Sequence, residues 1–309
     1  MSQRPRLGLD IGGTKIHGIL LDPTGRILAE HVLPTERGSD GVVRSALAVA
    51  RGCLSLAGVE RGALASVGVG IPGQVDHLTG TVRTAVNLDI EHLALGERLG
   101  ADLGVPVCVD NDVKAAALGA AEHLGADEVT FLNVGTGVAA ATVADGRLVR
   151  GEGNLAGEIG HIPVDPNGER CACGQRGCLE VLAGGAGIAE RLAPLAPQIS
   201  LPSLFEAAAA GSPDAAAEAA RISAGIATAV QLVVLTQGSS RVVLGGGVVH
   251  TARGLVDEVR RVLTARAAES EFLASLDLAD RVSVLPSGYP VAAIGAALVG
   301  RARSDAALV

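Results

Sequence analysis

Apolar and polar positions alternate in short runs at the start of the chain. R-L-G-L-D (6–10) and K-I-H-G-I-L-L-D (15–22) predict two strands joined by I-G-G-T. A turn at P-T-G (23–25) then leads to a third strand in R-I-L-A-E-H-V (26–32). The same order returns over 129–149: V-T-F-L-N, V-G-T-G, V-A-A-A-T-V, A-D-G and R-L-V. Two copies so far apart cannot stack as a solenoid, and they predict a duplicated domain in which each half opens with a β-meander.

Between and after the copies, strands alternate with Ala-rich helices. S-V-G-V-G-I-P-G (66–73) and V-P-V-C-V-D-N-D (105–112) predict buried strands ending in polar loops, and 113–124 a helix. Helices are expected through 183–236, with breaks near 194–202 and at G-S-P (211–213). R-V-V-L (241–244) predicts a strand, G-G-G (245–247) a turn and 252–268 a helix. V-S-V-L-P (282–286) is the last strand, followed by a helix over 290–302. This alternation implies an α/β protein with two sheets. No uninterrupted apolar run approaches membrane-spanning length and the N-terminus does not resemble a signal peptide, so the expectation is a cytoplasmic protein without a membrane partner.

Composition narrows the chemistry. Hydrophobic residues make up 48% of the 309, yet the chain has no Trp, one Tyr and three Phe, so its cores must be aliphatic. Aromatic stacking floors for bases or sugars are excluded on that inventory, and a polar ligand must be held by hydrogen bonds. The net charge of −8 argues against nucleic acid as a partner. Cys53 and Cys108 stand singly in apolar surroundings and are expected to be reduced core residues.

The most informative stretch is G-E-I-G-H (157–161) followed by C-A-C-G-Q-R-G-C-L-E (171–180). His161, Cys171, Cys173 and Cys178 have the types and spacing of a tetrahedral Cys3His zinc site, against the alternative of a disulfide plus a spare thiol. Four protein ligands leave no open coordination position, so the zinc is expected to be structural. Glu158 and Glu180 bracket the cluster, which would hold two carboxylates close together.

D-I-G-G-T-K (10–15) joins two strands, so it is not the strand-to-helix phosphate loop. Its backbone N–H groups at Gly12 and Gly13 could still form an anion nest, with the Thr14 hydroxyl beside them and Asp10 holding a magnesium-bound water. G-T-G (135–137) repeats the theme, and G-G-G at 245–247 allows backbone to approach a flat ligand. D-N-D (110–112) ends a strand and starts a helix. Asp110 and Asp112 both remain open as a general base, and Asp112 equally as a helix N-cap.

Together these motifs resemble the ROK family (repressors, open reading frames and sugar kinases) of the actin–hexokinase superfamily, over about residues 6–302. G-I-P-G-Q-V-D (70–76) and V-D-N-D (109–112) fall in the family's order with the rest. The resemblance implies a two-lobed, actin-like (ribonuclease H-like) duplicated fold with a zinc-bound loop. Residues 1–116 would form the small lobe and 117–289 the large one, with the C-terminal helix (about 290–309) packing back on the first. It also implies an enzyme that uses MgATP to phosphorylate the 6-hydroxyl of a hexose, glucose foremost. Asp112 matches the catalytic base, and Gly73, Asn111, Glu158, His161 and Glu180 match sugar-binding positions. Asp10, Gly12, Gly13, Thr14 and Lys15 match the first phosphate motif, Gly135, Thr136 and Gly137 the second, and Gly246 the adenosine loop. His161, Cys171, Cys173 and Cys178 match the zinc ligands, and a homodimer or homotetramer is implied.

Three departures bear on the acceptor. V-A-A-A (138–141) replaces a glycine-rich string and is expected to narrow the room near the phosphates. N-L-D-I-E-H-L (87–93) lacks the family's frequent tryptophan, and Lys114 stands two residues after the base. Kinases for fructose, mannose, an N-acetylhexosamine or a cyclitol are the alternatives, as is a sugar sensor or regulator without catalysis.

Overall fold

The computed structural model describes residues 4–195 and 198–306. In chain order the first half runs β1 (Arg6–Ile11), β2 (Lys15–Leu21), β3 (Ile27–Pro34), α1 (Ser39–Ala57), β4 (Ser66–Ile71), β5 (Gln74–Asp76), β6 (Thr81–Thr84), α2 (Leu95–Leu103), β7 (Val107–Asn111) and α3 (Asp112–Leu124). The second half runs β8 (Val129–Val134), β9 (Val138–Ala144), β10 (Arg147–Val149), α4 (Leu179–Ala183), α5 (Gly185–Leu192), α6 (Leu204–Ala209), α7 (Pro213–Gln237), β11 (Val242–Gly245), α8 (Gly247–Thr251), α9 (Leu255–Ala268), α10 (Glu271–Ala274), β12 (Val282–Val284) and α11 (Val291–Ala306).

The chain forms two compact units. The first comprises residues 1–127, 145–155 and 290–309, and the second 128–144 and 156–289. Helix α3 therefore lies wholly in the first unit, whereas a division at 116/117 cuts through it.

In the first unit the strand order is β3–β2–β1–β4–β7. β1, β2 and β3 are the antiparallel meander, and β4 and β7 add in parallel. Burial on both faces makes β4 uniformly apolar or glycine after Ser66, as a covered parallel strand requires. Helix α1 packs on the meander, and α11 packs on β1, β4 and α3. The α3–α11 contact is backbone to backbone: a Cβ at Gly295 would lie 1.7 Å from the Ala115 carbonyl oxygen, and one at Gly119 2.0 Å from that of Val291. Small residues let the two helices approach to a distance that larger side chains forbid.

The second unit repeats the scheme in the order β9–β8–β11–β12. β8 and β9 are antiparallel, and β11 and β12 add in parallel. Its core gathers Ile222, Ile226, Val230 and Val233 from α7 with Leu132 and Leu244 from the sheet. Helix α7 is long and apolar enough by composition to cross a membrane, although Asp214, Glu218 and Arg221 interrupt its apolar run. Its apolar stretch is accounted for by burial within this core.

Candidate functional site

In the first unit, β1 carries Asp10 next to its end at Ile11, and the chain turns through Gly12, Gly13 and Thr14 into β2. The turn is fixed from one side. Thr35 donates through Oγ1 to the Gly12 carbonyl (2.7 Å) and through its N–H to that of Thr14 (3.0 Å). Gly12 N–H donates to the Lys15 carbonyl (2.9 Å). Gly13 faces Asn87, whose carbonyl oxygen would lie 3.6 Å from a Cβ at that position. The segment lacking tryptophan therefore abuts this turn. Asp89, Ile90, Glu91 and His92 line an open cavity of about 790 Å³.

The three residues D-N-D separate into three environments. Asp110 is fully buried, with Oδ2 accepting from Arg150 Nε (3.0 Å) and Nη2 (2.9 Å). Its Oδ1 accepts from Asn111 N–H (2.9 Å) and Asn154 Nδ2 (3.1 Å). A carboxylate so enclosed cannot serve as a base. Asn111, not Asp112, is the N-cap of α3, its Oδ1 accepting from Val113 N–H (3.0 Å) and Lys114 N–H (3.3 Å). Asn111 Nδ2 donates to the Gly73 carbonyl (3.4 Å), and Gly73 has φ 100°, a conformation glycine favours. Asp112 is the first helical residue and half-buried. Lys114 is buried in α3.

The Asp10 carboxyl senses the charge of Asp112. Burial, and then the charge of Asp112, push the Asp10 carboxyl up to about 7, with Lys15 opposing the rise. The helix bearing Asp112 thus opens beside the first glycine turn.

In the second unit, G-T-G joins β8 to β9 as D-I-G-G-T-K joins β1 to β2. Its carbonyls are taken up by the start of α5: Gly185 N–H donates to Gly135 (2.8 Å) and Ala186 N–H to Thr136 (3.0 Å). Gly246 precedes α8 with φ 93°, and a Cβ there would lie 2.5 Å from the Val134 carbonyl oxygen. V-A-A-A does not belong to the turn. It lies within β9, where Val138, Ala140 and Ala141 are buried, and Ala140 N–H donates to the Gly157 carbonyl (2.8 Å). The expected narrowing is therefore strand packing, which methyl groups fill.

Cys171, Cys173, Cys178 and His161 converge, with all four candidate ligand atoms within 4.8 Å of one another. Cys171 Sγ is 3.9 Å from His161 Nδ1, and Cys173 Sγ is 3.6 Å from Cys178 Sγ. A tetrahedron with zinc–ligand bonds of about 2.0–2.3 Å has edges of roughly 3.3–3.8 Å, close to these separations, so the donor set suits zinc. Hydrogen bonds from the Gln175 backbone, then its side chain, lower the Cys173 thiol to about 6, while burial raises Cys178 to about 12. Gln175 Nε2 also donates to the His161 carbonyl (3.0 Å). Glu158 immediately precedes the short turn Ile159–His161. Glu180 lies in the first turn of α4 and accepts from Val138 N–H.

Two buried ion pairs have no local signature in sequence. One is Arg150–Asp110. The other is Arg191, which pairs with Glu218 (2.7 Å) and donates to the carbonyls of Val181 (2.6 Å) and Leu182 (2.9 Å), fixing the end of α4.

The family model described as "ROK family" matches residues 6–299. The chain is 36% identical over 195 residues to a glucokinase of Halalkalibacterium halodurans, covering 61% of this chain and 59% of that protein. The match thus spans less than two thirds of that relative's length. It is 33% identical over 273 residues to an N-acetylmannosamine kinase of Citrobacter koseri, covering 85% and 89% of the two chains. A ROK family glucokinase from Streptomyces griseus, solved in complex with glucose and AMPPNP, superposes with a TM-score of 0.77 at 29% identity, covering 96% and 99%. The fold is the actin-like α/β fold of these sugar kinases.

Proposed function

Because the chain belongs to the ROK family, we propose that it is an ATP-dependent sugar kinase and that glucose is its acceptor. The observation that carries this reading is the Asp10–Asp112 relationship. A candidate base at the start of a helix stands within electrostatic reach of the carboxylate at the first glycine turn. Phosphoryl transfer depends on such placement of base and phosphate nest, because the protein supplies position and charge rather than covalent chemistry.

In the proposed reaction the Asp112 carboxylate takes the proton from the sugar 6-hydroxyl. The oxygen forms a bond to the γ-phosphorus as the bond from that phosphorus to the bridging oxygen breaks, releasing ADP. Asp10 would hold magnesium brought with ATP through a bound water, and the ion would supply charge neutralisation at the phosphates. Gly12, Gly13, Thr14 and Lys15 line one phosphate turn. Gly135, Thr136 and Gly137 line the other, and Gly246 gives adenosine close access to backbone. Gly73, Asn111, Glu158, His161 and Glu180 supply donors and acceptors to the sugar hydroxyls, as a chain with so few aromatic side chains requires. Zinc on His161, Cys171, Cys173 and Cys178 would fix the loop that carries His161 and leads into Glu180.

The glucokinase relatives support glucose, and the N-acetylmannosamine kinase, matched over more of its length, supports a second acceptor. The test is ADP release from MgATP by zinc-replete protein across glucose, mannose, fructose, N-acetylmannosamine, N-acetylglucosamine and cyclitols. Turnover with glucose is the expected result. Turnover with N-acetylmannosamine alone would reassign the acceptor, and no turnover with any of them would overturn the kinase reading.

A further inference from the structure

Asp110, Arg150 and Asn154 form a closed polar cluster inside the first unit, and none of them belongs to the proposed reacting set. We propose that this cluster is a positioning clamp for the Asn111–Asp112 pair, a proposal that rests on Asp112 being the base.

All four hydrogen bonds to Asp110 arrive from groups whose positions matter. Two come from Arg150 and one from Asn154, both on the returning segment 145–155, and one from the N–H of Asn111 itself. Asn154 Nδ2 is shared with the Val75 carbonyl at 3.2 Å, two residues beyond Gly73. Asn154 also holds φ 65°, a left-handed conformation that asparagine adopts more readily than most residues with a side chain, and its Oδ1 is buried without a protein hydrogen-bond partner. Reversing the amide would set that oxygen against two acceptors, so the orientation is dictated by Asp110 and Val75. A left-handed asparagine with a fixed amide orientation therefore stands where the segment grips β7.

The clamp acts through one intermediate. Asp110 fixes the Asn111 N–H, and the Asn111 side chain caps the N–H groups of Val113 and Lys114. Any shift at Asp110 is therefore passed to the first turn of α3, where Asp112 sits. A buried ion pair is poor support for stability alone, since well-packed apolar residues often do as well. What an apolar pair cannot supply is direction, and four directed bonds on one carboxylate set the angle at which β7 enters α3.

The test compares the full-length protein with Arg150→Met, Arg150→Lys and Asn154→Ala, measuring kcat, KM for MgATP and sugar, and hydrogen exchange at the Val113 and Lys114 amides. Arg150→Met is expected to lower kcat about 10- to 100-fold with KM for MgATP within about twofold, because the base is misplaced while the nucleotide turn is untouched. Faster exchange at both amides is expected, and Arg150→Lys should recover most of the loss. Should Arg150→Met not fold, Asn154→Ala keeps the ion pair and is expected to lose about three- to tenfold in kcat. A folded Arg150→Met, or failing that Asn154→Ala, with wild-type kcat and wild-type exchange would overturn the clamp. A wild-type protein that phosphorylates no sugar would refute the kinase reading instead, and amide exchange would still decide whether the cluster seats α3.

Discussion

Glu180 Oε2 accepts a hydrogen bond from the backbone N–H of Val138 at 3.2 Å, so the first turn of α4 is tied to the first residue of β9, directly after the G-T-G turn. A Cβ at Gly137 would lie 2.1 Å from the same oxygen. The candidate sugar carboxylate and the candidate phosphate turn therefore share one small volume of the second unit. Gly137→Ala is expected to displace Glu180 and to raise the sugar KM by about tenfold, corresponding to the loss of one charged hydrogen bond. The substituted residue itself belongs to the nucleotide turn. An unchanged sugar KM beside a raised KM for MgATP would show that the contact carries no coupling.

Removing the base is a separate matter from moving it. Asp112→Asn keeps the size of the side chain and removes its basicity, and kcat is expected to fall by about 10²- to 10⁴-fold. Sugar affinity by calorimetry should stay near wild type. Near-normal turnover would transfer the role elsewhere, though not to Asp110, whose oxygens are already occupied.

Metal content tests the cysteine cluster directly. The wild-type chain is expected to carry about one zinc per chain, and Cys173→Ala to lose most of it, because three remaining donors hold zinc far less tightly than four. Retained zinc in the variant would remove Cys173 from the ligand set. Chelation of the wild type should mimic the mutation, weakening sugar binding before the unit unfolds.

The raised Asp10 carboxyl sets a pH dependence. Its folded value of about 7 stands above the ordinary 3.8, so between those limits the folded protein binds more protons than the unfolded chain. This group's contribution to stability is therefore most favourable at low pH and declines as pH rises through 7. Relative to Asp10→Asn, the wild type is expected to lose thermal stability between pH 5 and pH 8, read as a widening gap in Tm. A gap constant across that range would contradict the shift. Binding MgATP should release a proton near pH 6.5, detectable by calorimetry in buffers of different ionisation enthalpy, because a nearby dication favours the carboxylate.

The contact between α3 and α11 sets a stability prediction. Gly295→Ala places a methyl group against the Ala115 carbonyl, and separating the two helices is expected to cost about 1–3 kcal/mol in urea denaturation. An unaffected midpoint would mean that α11 can slide without penalty.

Much of this was legible in the chain. The two meanders show period-2 patterning around Gly–Thr turns, and β1, β2, β8 and β9 lie where that patterning predicts. The convergence of His161 with the three cysteines was legible because three cysteines within eight residues have few other uses in such a loop. Helix α1 is harder to see: Val42, Val43, Ala46, Leu47, Ala50 and Leu54 do follow a helical stripe, but Gly41, Gly52 and several β-branched valines weaken its intrinsic propensity. Hairpin strands β5 and β6 are too short for periodicity to register. Motif spacing alone left Asp110 and Asp112 open, and only the family resemblance favoured Asp112, because the distinction is burial against an arginine 40 residues away. Arg191 and Glu218 are equally silent, since their pairing depends on how α5 meets α7.

The first unit is assembled from three pieces of chain, the last of which contains α11. During synthesis, β1 to α3 leave the ribosome long before the helix that must clasp α3 backbone to backbone. The second unit, encoded almost entirely in between, has its own core and can fold meanwhile. Until α11 emerges, the β1–β4 face it covers stays exposed and α3 lacks its closest neighbour. A chain cut before α11 should therefore display all its glycine turns yet leave α3, with Asp112 in its first turn, without the helix that covers it.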